Sequence, residues 1–172
     1  MIHALKAWTI LVLEDVAGEN VLLLHRSAEK KLLPNLVTGI GGRVELEKDE
    51  GQDIVASVLR ELEEETSIVR DDVKNVKTRL VNIVVEQELT KVLYWLTGTL
   101  NKELEDFHST EGELMWYSKN ALPLAAMTSA AKESIPFILG LDEDDDKVYG
   151  GVLEVLPKED RKLHIIEKNP SQ

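Results

Sequence analysis

Gly41-Gly42-Arg43-Val44-Glu45 and, after a polar interval, Arg60-Glu61-Leu62-Glu63-Glu64-Glu65-Thr66-Ser67-Ile68 are the stretches on which the fold turns. Residues 53 to 66 predict a helix. Ile54, Val55, Val58, Leu59 and Leu62 recur at helical spacing, and Asp53 suits the N-terminal cap or first turn. On that helix Glu61, Glu64 and Glu65 stand at i, i+3 and i+4, so three carboxylates share one face while the apolar positions take another. A solvent-exposed face of good helix formers also produces glutamate runs. Two penalties argue against stability as the reason here. Like charges at these spacings cost about 0.2–0.5 kcal/mol per pair. The cluster also occupies the negative end of the helix dipole, where Lys or Arg would stabilise. A bound divalent cation reverses both penalties. Upstream, Thr38-Gly39-Ile40-Gly41-Gly42 supplies the backbone freedom that lets main chain approach a ligand closely.

The surrounding chain of 172 residues, 43% hydrophobic and 30% charged, is long enough to bury a core and too apolar for disorder. A single domain over 1–172 is expected, with residues 168–172 a frayed tail. There are no cysteines, so disulfides, thiolate metal sites and cysteine nucleophiles are excluded. His3, His25, His108 and His164 lack ligand-like spacing. A net charge of −12 makes the protein a poor partner for nucleic acid or an anionic membrane. It admits a phosphate substrate only with a metal cation between carboxylate and phosphate. The apolar run Ala7 to Leu13 stops at Glu14-Asp15, too short to span a bilayer or act as a signal segment. The expected location is cytoplasmic, and both monomer and homodimer fit the sequence.

Strands are expected at Leu5–Leu13, Val21–His25, Val76–Val85, Lys91–Leu100, Leu114–Tyr117, Val148–Val155 and Lys162–Glu167, with a turn at Gly18-Glu19-Asn20. Glu29–Leu36 reads as a loop. Leu122–Leu139 contains a second helix starting near Pro123 or Ser129. The class is α+β. Leu141-Asp142-Glu143-Asp144-Asp145-Asp146 lacks the alternating ligands and central Gly of a calcium loop, and reads as a solvated acidic loop.

Arg60-Glu61-Leu62-Glu63-Glu64-Glu65, downstream of Gly41-Gly42-Arg43-Val44-Glu45, resembles the signature of the Nudix hydrolases: a glycine, a spaced glutamate, then R-E-U-x-E-E-x-G-U with U a bulky aliphatic residue. The resemblance implies a Nudix-like α/β/α sandwich with a mixed sheet and a central catalytic helix. Two departures stand out. Residues 43 to 59 separate Gly42 from Arg60, four more than the signature interval, and the insertion is placed at Leu46–Glu50. In that register Gln52 replaces the signature glutamate, with Glu47 or Glu50 as substitutes, and Ser67 replaces the signature glycine. If residue 67 must be left-handed, Ser costs about 1 kcal/mol; otherwise the helix ends differently.

The order of early strands, the Trp116 strand and the following helix is similar to the MutT branch, whose members hydrolyse 8-oxo-dGTP-type nucleoside triphosphates. The implied reaction is Mg²⁺-dependent (or Mn²⁺-dependent) cleavage of a nucleoside diphosphate linked to X, with a triphosphate yielding monophosphate and pyrophosphate. The implied metal ligands are Glu61, Glu64, Glu65 and a main-chain carbonyl at Gly41 or Gly42. Arg60 would orient a box carboxylate. Glu111 matches a further catalytic or metal-binding Glu, with Glu113 and an ordinary loop acid as competing readings, and the general base stays open among Glu61, Glu111 and the insertion. Arg26 and Arg43 are candidate phosphate contacts beside Gly41 and Gly42. The acids that read the base in the mammalian homologue are absent, because Thr128-Ser129-Ala130-Ala131 stands in their place. Tyr94 or Trp95 would offer a stacking face, at most one of them because neighbours on a strand point oppositely. The chain starts directly at its first strand, which favours a triphosphate over ADP-ribose. A non-catalytic nucleotide-binding module is the alternative that Gln52, Ser67 and the insertion allow.

Overall fold

The computed structural model describes residues 4–45, 53–86, 89–104, 106–157 and 160–166. The insertion Leu46–Glu50, Gln52, Glu167 and the tail 168–172 lie outside them. The strands are β1 (Ala4–Glu14), β2 (Asn20–Arg26), β3 (Val37–Thr38), β4 (Val73–Val85), β5 (Leu89–Leu100), β6 (Gly112–Ser118), β7 (Tyr149–Val155) and β8 (Arg161–Ile165). The helices are α1 (Ile54–Glu65) and α2 (Ser129–Leu139).

The sheet runs β3-β2-β1-β5-β4-β7-β8, with β6 on β2. β1 and β5 are parallel from Ala4↔Leu89 to Glu14↔Thr99, and β4 and β7 are parallel from Leu80↔Tyr149 to Ile83↔Val152. The remaining strand pairs are antiparallel. β1 pairs with β2 only beside their turn, at Leu13↔Leu22 and Glu14↔Val21, after which β2 pairs along its length with β6.

Strand alternation explains the layers. Leu11, Leu13, Leu22 and Leu24 face one way and meet Val58 and Leu62 of α1. Val12, Val21 and Leu23 face the other way and meet Ala131, Ile135 and Ile138 of α2. A strand buried on both faces reads as an unbroken apolar run, as Leu11-Val12-Leu13 and Val21-Leu22-Leu23-Leu24 do. The result is the expected α/β/α sandwich with a mixed sheet.

Asp53 caps α1, accepting the Ala56 N–H at 2.9 Å. At the other end Thr66 is extended, and its hydroxyl donates to the Leu62 carbonyl at 2.7 Å. Ser67 is absent from the residues with positive φ, so it carries no left-handed penalty; its N–H instead donates to the His108 carbonyl. Thr128 caps α2 by accepting the Ala131 N–H, which sets the helix start at Ser129. Buried Asn82 of β4 donates to Ser134 of α2 at 2.8 Å, tying helix to sheet. In the acidic loop, Arg79 donates to the Asp142 and Asp145 carbonyls and Lys77 to that of Glu143. Protein cations therefore take up loop oxygens. Among the described residues no helix is long and apolar enough to cross a membrane.

Leu62 is fully buried between α1 and the sheet. Leu62→Ala is expected to cost about 2–5 kcal/mol of stability, read as a lower midpoint in urea unfolding.

Candidate active site

The glycine loop lies along the free edge of β1. Thr9 N–H donates to the Gly42 carbonyl at 2.9 Å, and Leu11 and Ile40 exchange main-chain hydrogen bonds. At Gly41 φ is +151°, and a Cβ there would overlap the Thr9 carbonyl. A Cβ on Gly42 would overlap the Glu61 carboxylate instead. The loop thus brings backbone against the acid-bearing end of α1.

That end is organised by charge. Glu61 is only 7% exposed and shares the buried side of α1 with Ser57. Arg60 donates to Glu61 at 2.5 Å and also to Glu64, one fork holding two carboxylates. Glu63, the variable position of the run, accepts the Arg70 N–H and guanidinium and pins the chain after the helix. That contact holds its carboxyl below the usual carboxylate range.

Glu111 reaches the same place from the other side. Thr110 N–H donates to the Glu65 carbonyl at 2.9 Å, and Ser27 N–H to the Glu111 carbonyl at 3.0 Å. Glu111 pairs with Lys30 at 2.5 Å, with Arg26 4.0 Å from its other oxygen. Burial, then the charges of Glu111 and Glu61, push Glu65 up to about 7, against weaker opposing pulls from Arg26 and Lys30.

Glu65, Glu111, Gly41, Gly42 and Arg26 line one cavity of about 360 Å³. Its inner wall is Trp8, Ile10, Leu93 and Trp95, and Thr128, Ser129 and Ala130 close one side. Of the aromatic pair on β5, Trp95 faces this cavity, while Tyr94 packs against the α1 side. Glu61 sits behind Gly42. Glu64, with its side chain 54% exposed, lies outside the lining with Arg60, and Arg43 and Glu113 are exposed outside it as well. The sequence did not single out Trp8, Lys30 or Arg161, which also lines the cavity. Alternation along β1 signals Trp8; no local pattern marks the other two.

The donor types suit a hard dication: carboxylate oxygens beside a glycine backbone. Among the described residues no three acidic or histidine side chains already surround one point. Glu65 is raised first by burial and then by the charges of Glu111 and Glu61, and a cation would offset both, while the Gly42 gap leaves room for the Glu61 carboxylate beside the loop.

The glycine loop is thus backed against carboxylates at the mouth of a cavity with an aromatic wall. The NUDIX domain family matches residues 4–138, and the chain belongs to that family of pyrophosphohydrolases. Among solved structures, a MutT protein from Bacillus halodurans superposes with a TM-score of 0.64 at 22% identity, covering 97% of this chain and 99% of that one. A NUDIX hydrolase from Nitrosomonas europaea gives 0.65 at 15% identity, over 88% and 80%. One from Alicyclobacillus acidocaldarius gives 0.55 at 13%, over 70% and 82%. At these identities the likeness concerns the fold. No curated protein sequence matches.

Two outcomes are expected. Because the folded pKa of Glu65 lies above its ordinary value of 4.5, its favourable contribution is complete below about 4.5 and lost as pH rises through about 7. Urea unfolding in EDTA should therefore show stability falling across that window, with Glu65→Gln flattening the slope. The second outcome separates the glycines. Gly41→Ala meets backbone and lowers stability, whereas Gly42→Ala displaces the end of a flexible side chain. Gly42→Ala should keep the melting temperature within a few degrees and raise the divalent-cation concentration needed for turnover.

Proposed function

We propose that this enzyme hydrolyses a nucleoside triphosphate to monophosphate and pyrophosphate, in a MutT-like role, with Mg²⁺ (or Mn²⁺) as cofactor. The observation that carries the reading is the meeting of Glu65 and Glu111 with the Gly41–Gly42 backbone at the rim of a cavity whose interior is aromatic. Phosphates belong at the carboxylate rim and the nucleoside inside. The cavity volume of about 360 Å³ is near the small end of ligand sites, ~300–1,000 Å³. That favours one nucleoside over the two of a dinucleotide or the second sugar of ADP-ribose.

Glu61, Glu64, Glu65 and the Gly41 carbonyl would hold the metal, which when bound neutralises phosphate charge and acidifies water. The chain's own groups do the positioning. Arg60 fixes the rotamers of Glu61 and Glu64. Arg26 and Lys30, already gathered at Glu111, stand where phosphate oxygens would meet them, and Arg43 flanks the loop. In the reaction water forms the new P–O bond, the anhydride P–O bond breaks, and the water proton passes to a carboxylate. Glu111, at the cavity rim, would take it. The enzyme acts on a free nucleotide in the cytoplasm, as a single domain, with neither nucleic acid nor membrane as partner.

Glu64→Gln and Glu65→Gln should each lower Mg²⁺-dependent pyrophosphate release by about 10²-fold or more, the scale of losing a main electrostatic or acid–base group, with the far-ultraviolet circular dichroism unchanged. Near-normal turnover in both variants would overturn the metal assignment.

A further inference from the structure

The loop between β2 and β3, residues 27–36, brings two large apolar side chains to the cavity and leaves them open to water. Leu32 and Leu33 are 62% and 45% exposed, and both line the cavity that also holds Glu65, Glu111 and the glycine loop. Neither is part of the two core clusters. An isolated exposed leucine needs no explanation. Two adjacent ones do when they edge a cavity whose inner wall is Trp8, Ile10, Leu93 and Trp95.

Holding them there strains the backbone. Leu33 has φ +52° and Asn35 +57°, left-handed angles on either side of Pro34. A residue with a Cβ is disfavoured in that region, and the following proline narrows the choice for Leu33 further. Hydrogen bonds fix the loop in this shape. Asn35 N–H donates to the Arg26 carbonyl at 3.2 Å, Arg26 N–H to that of Leu36 at 3.0 Å, and Arg26 Nε to that of Leu32 at 3.1 Å. Glycine would meet the angle at position 33 without the steric penalty. Leucine there gives up stability for a side chain that the core does not use, and strain of this kind gathers at ligand clamps. The same loop carries Arg26 and Lys30, gathered at Glu111 where the phosphates are placed. It therefore offers both contacts a nucleotide needs, cations for phosphate oxygens and apolar surface for sugar and base. A bare polyphosphate has no apolar part to set against the two leucines.

We propose that Leu32 and Leu33 form an apolar lip that packs on the nucleoside of the substrate and makes the enzyme select nucleotides over bare polyphosphate chains. This deepens the nucleoside-triphosphate reading and rests on it.

The test uses the full chain and its Leu32→Ala, Leu33→Ala and Leu33→Gly variants. KM and kcat are measured with Mg²⁺ for the four common deoxynucleoside triphosphates and their ribose counterparts, and inorganic tripolyphosphate is titrated as a competing ligand. Each variant should raise KM for the preferred nucleotide about three- to tenfold, the scale of losing part of an apolar side-chain contact. The rate constant kcat should change by less than about twofold, as expected when binding common to ground and transition states is removed. The inhibition constant of tripolyphosphate should stay at its wild-type value. Leu33→Gly should raise KM while leaving the melting temperature unchanged or raising it by about 2–4 °C, a combination that a purely structural leucine would not give. Wild-type KM values in all three variants would overturn the proposal and leave the hydrolase reading intact. So would an equal loss of nucleotide and tripolyphosphate affinity, which would assign the leucines to loop shape alone. If the wild type hydrolyses none of the triphosphates, the triphosphate reading itself fails and this one with it.

Discussion

The site depends on how closely residues 39–44 can lie against β1. The main-chain hydrogen bonds from Thr9 to Gly42 and between Leu11 and Ile40 require Gly39 and Gly41, because a Cβ at either would run into β1 carbonyls or side chains. Once the loop is seated, Gly42 has a fixed place, and the space its missing Cβ leaves is where the Glu61 carboxylate sits. Helix packing completes the constraint: Val58 and Leu62 bury against β1 and β2 and set the rotation of α1. The loop and the helix meet through backbone shape before any charge is considered.

Charge then works against the fold. α1 has no basic residue in its last turn, and its acidic end faces a further acid across the cavity rim. The compensation is partial. Arg60 takes two carboxylates, Lys30 takes Glu111, and Arg70 takes Glu63. Among the described residues Glu65 makes no comparable ion pair, and burial together with the charges of Glu111 and Glu61 raises its pKa. A local conflict kept within an otherwise consistent structure is the mark of a functional position. The neighbouring glutamates show the contrast: Glu63 is anchored and structural, Glu65 is crowded and faces the cavity.

Much of this was legible in the sequence, for physical reasons. The helix with its Asp53 cap follows from periodicity and capping chemistry, and the two apolar runs of β1 and β2 announce strands buried on both faces. The glycine loop and the carboxylate face are local patterns, so their spacing survives in the chain. What stayed hidden is non-local. β3 is two residues long and is held by the edge of β2 on one side and by residues 126–128 on the other. The parallel pairs β1–β5 and β4–β7 join strands distant in sequence. Glu111 was a candidate by position, but Lys30, which pairs with it, lies 81 residues away. Ser67, a departure from the signature, has a simple resolution in space: the helix ends through the Thr66 hydroxyl and the 108–110 segment, which asks nothing left-handed of residue 67.

The overall charge of −12 remains to be reconciled with a polyanionic substrate. Net charge sets the far field, which repels such a ligand and slows its approach. Binding is decided nearer, by groups within a Debye length of about 8 Å at physiological salt. Arg26, Lys91 and Arg161 all line the cavity, and Lys30 stands at its rim, bound to Glu111. Each is paired with a carboxylate of the same cavity, so the site presents exchangeable ion pairs rather than a bare positive surface. A phosphate arriving with its cation can replace both members of such a pair, taking the base for its oxygens and giving the cation to the acid. On the proposed reading, such a site would hold a metal–nucleotide complex better than either component alone.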